Sequence, residues 1–85
     1  FSLNQNYPNP FNPTTNIQFD ITNAGMVKLY VYDMTGKVVA VLVNEELSAG
    51  TYKYSFDAGG LPSGIYFYKL VSGDLSQVRK MVLLK

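Results

Sequence analysis

Apolar and polar residues alternate with a period of two through most of the chain, and turn-forming residues interrupt the alternation at short intervals. From 16 to 21 the apolar set is Ile17, Phe19 and Ile21 against Asn16, Gln18 and Asp20, the pattern of a half-buried strand. Asn23-Ala24-Gly25 supplies a turn, and 26–33 then sets Val27, Leu29 and Val31 on one face and Lys28, Tyr30 and Tyr32 on the other. Met34-Thr35-Gly36 turns again, with Gly36 able to take positive φ, which predicts a hairpin into 37–44. The run from Lys37 to Val43 is nearly all Val, Leu and Ala, so periodicity does not separate strand from buried helix there; its length and its four Val residues favour strand.

Residues 45–50 break the pattern, and 51–57 resume it with Tyr52, Tyr54 and Phe56 inward against Lys53, Ser55 and Asp57 outward. A Gly- and Pro-containing loop at 58–64 precedes a segment at 65–71 in which Tyr66, Tyr68 and Leu70 share a face opposite Lys69. Gly73-Asp74 makes the last turn. The segment 76–85 mixes Val78, Met81, Val82, Leu83 and Leu84 with Arg79, Lys80 and Lys85; its inward face is ambiguous by one residue, and a slip would exchange its two faces. Ahead of all this, residues 1–15 carry Pro8, Pro10 and Pro13 with Asn4, Asn6, Asn9 and Asn12, which predicts an extended, turn-rich arm with a possible strand of its own. Tyr7 and Phe11 are expected to pin that arm onto the domain. The sum is all-β: an immunoglobulin-like antiparallel β-sandwich of about 6–7 strands, with 1–85 a single domain, 1–15 its arm and 16–85 the sandwich.

Composition narrows the function. At 85 residues the chain holds one core, and 47% hydrophobic with 15% charged residues is too apolar for disorder. A net charge of +1, with Lys and Arg spread singly, gives no basic stripe for a phosphate backbone, so no nucleic-acid partner is expected. Without cysteine there are no disulfides or thiolates, and the redox compartment stays open. The longest apolar run, Val38 to Val43, falls far short of the roughly 20 residues of a membrane-spanning helix. Beginning at Phe1 with no signal peptide, the chain reads as a piece of a longer polypeptide; if that parent is secreted, its export signal lies upstream.

Candidate chemistry is sparse. Absence of His removes Ser-His-Asp and Cys-His catalysis and imidazole metal ligation. The carboxylates Asp20, Asp33, Asp57, Asp74, Glu45 and Glu46 fall mostly at strand ends and turns, where acidic residues serve as turn formers. Asp57 beside Gly59-Gly60 offers too few oxygens for calcium, and those glycines precede no helix that could cradle phosphate. Asn12-Pro13-Thr14 has proline where a glycosylation acceptor forbids it. Tyr30, Tyr32, Tyr52, Tyr54, Tyr66, Phe67 and Tyr68 could stack on bases or sugars, but alternation assigns most of them to the core. We therefore expect no enzyme, no cofactor, no metal and no small-molecule substrate.

The stretch Asn6-Tyr7-Pro8-Asn9-Pro10-Phe11-Asn12-Pro13-Thr14-Thr15 resembles the opening motif of type A C-terminal sorting domains of the type IX (Por) secretion system. Val31-Tyr32-Asp33, Gly36-Lys37-Val38-Val39, Leu47 to Tyr52, Leu61 to Leu70 and the closing Lys80-Met81-Val82-Leu83-Leu84-Lys85 follow that family in order over essentially the whole chain. The blocks around Gly36, Gly50 and Gly64 also look like the immunoglobulin-like domain of the flagellar hook-capping protein, which keeps a structural, adhesion or carbohydrate-binding accessory module as the alternative.

The sorting resemblance implies a C-terminal address on a larger secreted parent of a Gram-negative bacterium. The parent would reach the periplasm by a separate signal peptide, the translocon of the outer membrane with its shuttle and sortase would act on the folded domain, and the parent would be attached to the cell surface or released. Matching family motifs points to Gly64 and Tyr66, and to Lys80, Met81, Val82, Leu83, Leu84 and Lys85, as partner-recognition residues. An exposed edge on the terminal strand could also accept a partner strand.

Overall fold

Seven strands and no helix make up the computed structural model, which describes residues 1–85. The strands are β1 (Ser2–Leu3), β2 (Thr14–Ile21), β3 (Gly25–Asp33), β4 (Val38–Leu47), β5 (Gly50–Asp57), β6 (Gly64–Ser72) and β7 (Leu75–Leu83). They form a three-stranded sheet in the order β1-β2-β5 and a four-stranded sheet in the order β4-β3-β6-β7, with every ladder antiparallel. This is the sandwich that the alternation predicts. β3–β4 and β6–β7 are hairpins, whereas the chain crosses between sheets after β2, β4 and β5.

Inward positions are the period-two sets. Ile17, Phe19 and Ile21 of β2 meet Val27, Leu29 and Val31 of β3, Tyr66, Tyr68 and Leu70 of β6, and Met81 and Leu83 of β7 in one buried cluster. Burying such side chains stabilises the fold by roughly 1.5–3 kcal/mol each. β5 lies at a sheet edge, so Tyr52 and Tyr54 are only half-buried; they stack on Phe19 with centroids 5.6 and 5.7 Å away. Gly36, at φ 90°, closes the β3–β4 turn as expected, and Asp33 Oδ1 holds that turn by accepting from Thr35 Oγ1 at 2.6 Å and Thr35 N at 2.9 Å.

Two expectations need correction. β4 does not stop before Glu45 but runs through Glu45 and Glu46 to Leu47, leaving only Ser48 and Ala49 to reach β5. As an edge strand it can carry carboxylates into solvent, which also discourages pairing with other chains. The ladder between β3 and β4 shifts register at Leu29/Tyr30 and at Val31/Tyr32, which is why the Val-rich run shows no clean period.

The second correction concerns the arm. Tyr7 does not pin it: the ring is 79% exposed, while the backbone of Tyr7 pairs with Asn16 through bonds of 3.0 and 2.9 Å. Leu3, Asn6 and Phe11 are the anchors, each buried. Phe11 packs beside Phe56, with centroids 6.3 Å apart. The peptide bonds preceding Pro8, Pro10 and Pro13 are cis.

The one-residue ambiguity of the last strand resolves with Met81 and Leu83 inward. Gln77 and Arg79 share their parity yet do not enter the core. They reach the seam between the sheets, where Leu3 N donates to Gln77 Oε1 at 2.8 Å and Arg79 Nε donates to Leu3 O at 2.7 Å. β1 is thus bonded to β2 on one side and to side chains of β7 on the other.

Phe11→Ala should lower unfolding free energy by about 3–5 kcal/mol. For a domain whose total stability is expected near 0.05–0.15 kcal/mol per residue, such a loss shifts the urea midpoint strongly, whereas Tyr7→Ala should leave it within about 0.5 kcal/mol.

Candidate functional site

The residues singled out by sequence converge on one corner. β6 and β7 pair in a register that sets Gly64 against Leu83, Ile65 against Val82 and Tyr66 against Met81. The start of β6 and the end of β7 are therefore neighbours, although about 17 residues separate Gly64 from Met81 in the chain. Lys85 closes the corner: its N–H donates to Ser63 Oγ at 3.1 Å and its Nζ to Gly59 O at 2.7 Å.

Within the corner the side chains divide. Met81 and Leu83 are fully buried, and Tyr66 is buried with its hydroxyl donating to Pro62 O at 2.6 Å. Gly64 sits at φ 153°, a conformation that side chains disfavour, and a Cβ there would touch nothing, so its requirement is backbone geometry. Lys80, Val82, Leu84 and Lys85 are the outward members, with Lys80, Leu84 and Lys85 exposed and Val82 half-buried. The outward chemistry is two ammonium groups flanking two aliphatic side chains.

The edge of the terminal strand is not open over residues 80–84. Residues 1–15 occupy it: Gln5 Nε2 donates to Lys80 O at 2.7 Å, Val82 N donates to Asn9 Oδ1 at 3.0 Å, Phe11 N donates to Val82 O at 3.0 Å, and Leu84 N donates to Phe11 O at 2.9 Å. A strand edge exposes unpaired amides and carbonyls, and here two amide side chains and one backbone residue supply the missing partners from 80 to 84. Phe11 and Leu83 form a parallel bridge in doing so.

Beneath the arm lies a polar network that alternation does not signal. Asn6 N donates to Tyr68 Oη at 2.8 Å, Tyr68 Oη donates to Asn4 O at 2.7 Å, Asn6 Nδ2 donates to Thr15 Oγ1 at 3.0 Å, and Thr15 Oγ1 donates to Pro8 O at 2.8 Å. Asn6 and Thr15 are buried, and no buried side-chain polar atom lacks a partner. Burial raises the Tyr68 hydroxyl above the ordinary tyrosine range. The only sequence cue to this network was the density of Asn beside Pro.

Elsewhere the titratable groups are structural. Hydrogen bonds from Thr51 and Ser2 hold the Asp20 carboxyl below its usual range, tying β5 and β1 to β2, and the Thr35 hydroxyl does the same for Asp33 in its turn. Nowhere do three acidic, His or Cys side chains cluster. Asp57 Oδ1 accepts from Gly59 N at 2.9 Å, which uses it as a turn former.

The fold defines the class: an antiparallel β-sandwich of two sheets whose N-terminal arm is bonded along the edge of its last strand. The chain belongs to the secretion system C-terminal sorting domain family, whose model matches residues 5–84. It is accordingly a sorting signal of type IX secretion, carried by a larger parent protein bound for export through the outer membrane. No curated protein matches the sequence.

Two outcomes test the corner's construction. Tyr68→Phe leaves the buried Asn6 N–H without its acceptor and Asn4 O without its donor, and should cost about 1–3 kcal/mol in chemical denaturation. Because the folded-state value of Tyr68 is raised, its contribution is complete below the ordinary tyrosine value of about 10 and is lost as pH climbs through the folded value; Tyr68→Phe should flatten that alkaline loss in a pH series of melts. Gly64→Ala, strained at φ 153°, should cost about 1–3 kcal/mol without filling any space.

Proposed function

We propose that the domain is read in its folded form by the type IX translocon, aided by its shuttle and sortase, at the corner where β6 begins and β7 ends. The contact residues are Lys80, Val82, Leu84 and Lys85; Gly64, Tyr66, Met81 and Leu83 set the backbone on which they stand. The reading is carried by one observation above the others: the motif-matching residues at the start of β6 and at the chain terminus are register partners, bonded further by Lys85 and the arm. After translocation a sortase cuts upstream of residue 1, and the parent is attached to the cell surface of the Gram-negative host or released. The domain does no chemistry of its own. Its partners are the translocon, shuttle and sortase, with no nucleic acid and no small-molecule substrate.

The burial pattern dictates the test. Deleting 80–85 would remove Met81 and Leu83 from the core, so loss of export would be indistinguishable from unfolding. Residues 1–85 fused behind a signal peptide and a fluorescent reporter should deliver the reporter outside a bacterium that carries the secretion system. Leu84→Asp with Lys85→Glu, which spare the core, should strand it in the periplasm while the purified domain still melts cooperatively. If the unaltered domain leaves the reporter in the periplasm, the sorting reading is lost and an adhesion or accessory module takes first place.

A further inference from the structure

The outer faces of the two sheets differ in chemistry. On the three-stranded sheet the outward register rows are Asn16 with Ser55, Gln18 with Lys53, and Asp20 with Thr51, all polar, as expected of an antiparallel sheet with one face in water. On the four-stranded sheet one outward row is Val38, Tyr32, Phe67 and Lys80, and the next is Val41, Tyr30, Lys69 and Val78. Val38, Val41 and Val78 are 51%, 53% and 48% exposed. Tyr32 and Phe67 stack with centroids 5.9 Å apart, so the apolar surface runs unbroken from β4 to β6. Contiguous apolar surface of this kind marks an interaction site; scattered exposed residues do not.

Its charge is one-sided. Lys28, Lys69 and Lys80 stand on this face, whereas Glu46, opposite Met26 at the far end, is its single carboxylate. Lys69 lies between Tyr30 and Val78, where its stem can rest on apolar neighbours while the ammonium stays in water. Face-to-face pairing with a second copy would press three lysines against three lysines in a drying interface, with one carboxylate per copy to offset them.

We propose that this face docks a protein of the export machinery that presents an apolar patch rimmed by carboxylates. The proposal rests on the sorting reading and adds to the terminal corner a second, broader contact that shares Lys80 with it. Apolar contact supplies the binding, and the lysines select an acidic partner and speed its encounter.

The test uses the same secreted reporter with variants remote from the corner: Lys28→Glu with Lys69→Glu, Val41→Ser with Val78→Ser, and Lys53→Glu on the polar face as control. Each face variant should lower delivery outside the cell by about tenfold or more, with the reporter retained in the periplasm, while the control exports normally. Thermal melting of the purified domains confirms folding, and if one face variant melts early the other decides. Normal export by a folded face variant overturns the docking surface and leaves the sorting reading standing, whereas failure of the unaltered domain to export removes the sorting reading itself. Two further results would overturn the proposal by giving the face a different occupant. One is binding to anionic phospholipid vesicles that Lys28→Glu with Lys69→Glu abolishes; the other is a dimer in sedimentation that Val41→Ser with Val78→Ser abolishes.

Discussion

The edge of β7 is the constraint on which the rest of the molecule depends. A sandwich of two open sheets leaves strand edges with unpaired amides and carbonyls, and a last strand so exposed would fray or recruit another chain. Here residues from the opposite end of the chain complete it, through Gln5, Asn9 and Phe11. These bonds span more than 70 residues, so neither end is held without the other. The same logic operates one step along the strand, where Gln77 and Arg79 satisfy the backbone of Leu3 and join the two sheets at their seam.

Proline is what lets residues 8–13 lie against the sandwich without helix or ladder. Pro8, Pro10 and Pro13 bring no N–H, so a segment with little regular pairing buries fewer donors that need partners. Two of the three carbonyls are paired within the protein: Pro8 O accepts from Thr15 and Asn6, and Pro13 O accepts from Ala58 N at 2.9 Å. Fixed φ also narrows the unfolded ensemble, which lowers the entropy lost when the arm docks. The Asn6–Thr15–Tyr68 network then specifies one path for the arm, because any displacement would leave buried polar groups unpaired.

Strands were legible in the sequence wherever one face is core and the other solvent. Ile17, Phe19 and Ile21, or Tyr66, Tyr68 and Leu70, declare themselves by period two because each packs against the opposite sheet. β4 was legible only as a strand, since two register shifts against β3 break the alternation that would have assigned its faces. The ambiguity of β7 has a different cause: Gln77 and Arg79 occupy inward parity but serve the Leu3 backbone, so polar residues stand where the pattern asks for apolar ones. The seating of the arm was hidden for the same reason. Asn6 and Leu3 find their partners far away in the chain, while Tyr7, the most conspicuous residue nearby, turns to solvent. The members of the corner were nameable from motif, but which of them face outward followed only from the register of β6 with β7.

This architecture has a consequence for any partner that reads the corner. Its outward residues stand on a strand whose free edge is completed by the arm and whose inward residues, Met81 and Leu83, are fully buried. The corner therefore takes shape only when the whole domain has folded, β7 and the arm included. In a domain of this size, folding is expected to be cooperative, so a partially folded chain does not offer a partially formed corner. On the proposed reading of the corner, recognition is thereby coupled to folding: a domain whose β7 is unpaired lacks the surface to be recognised.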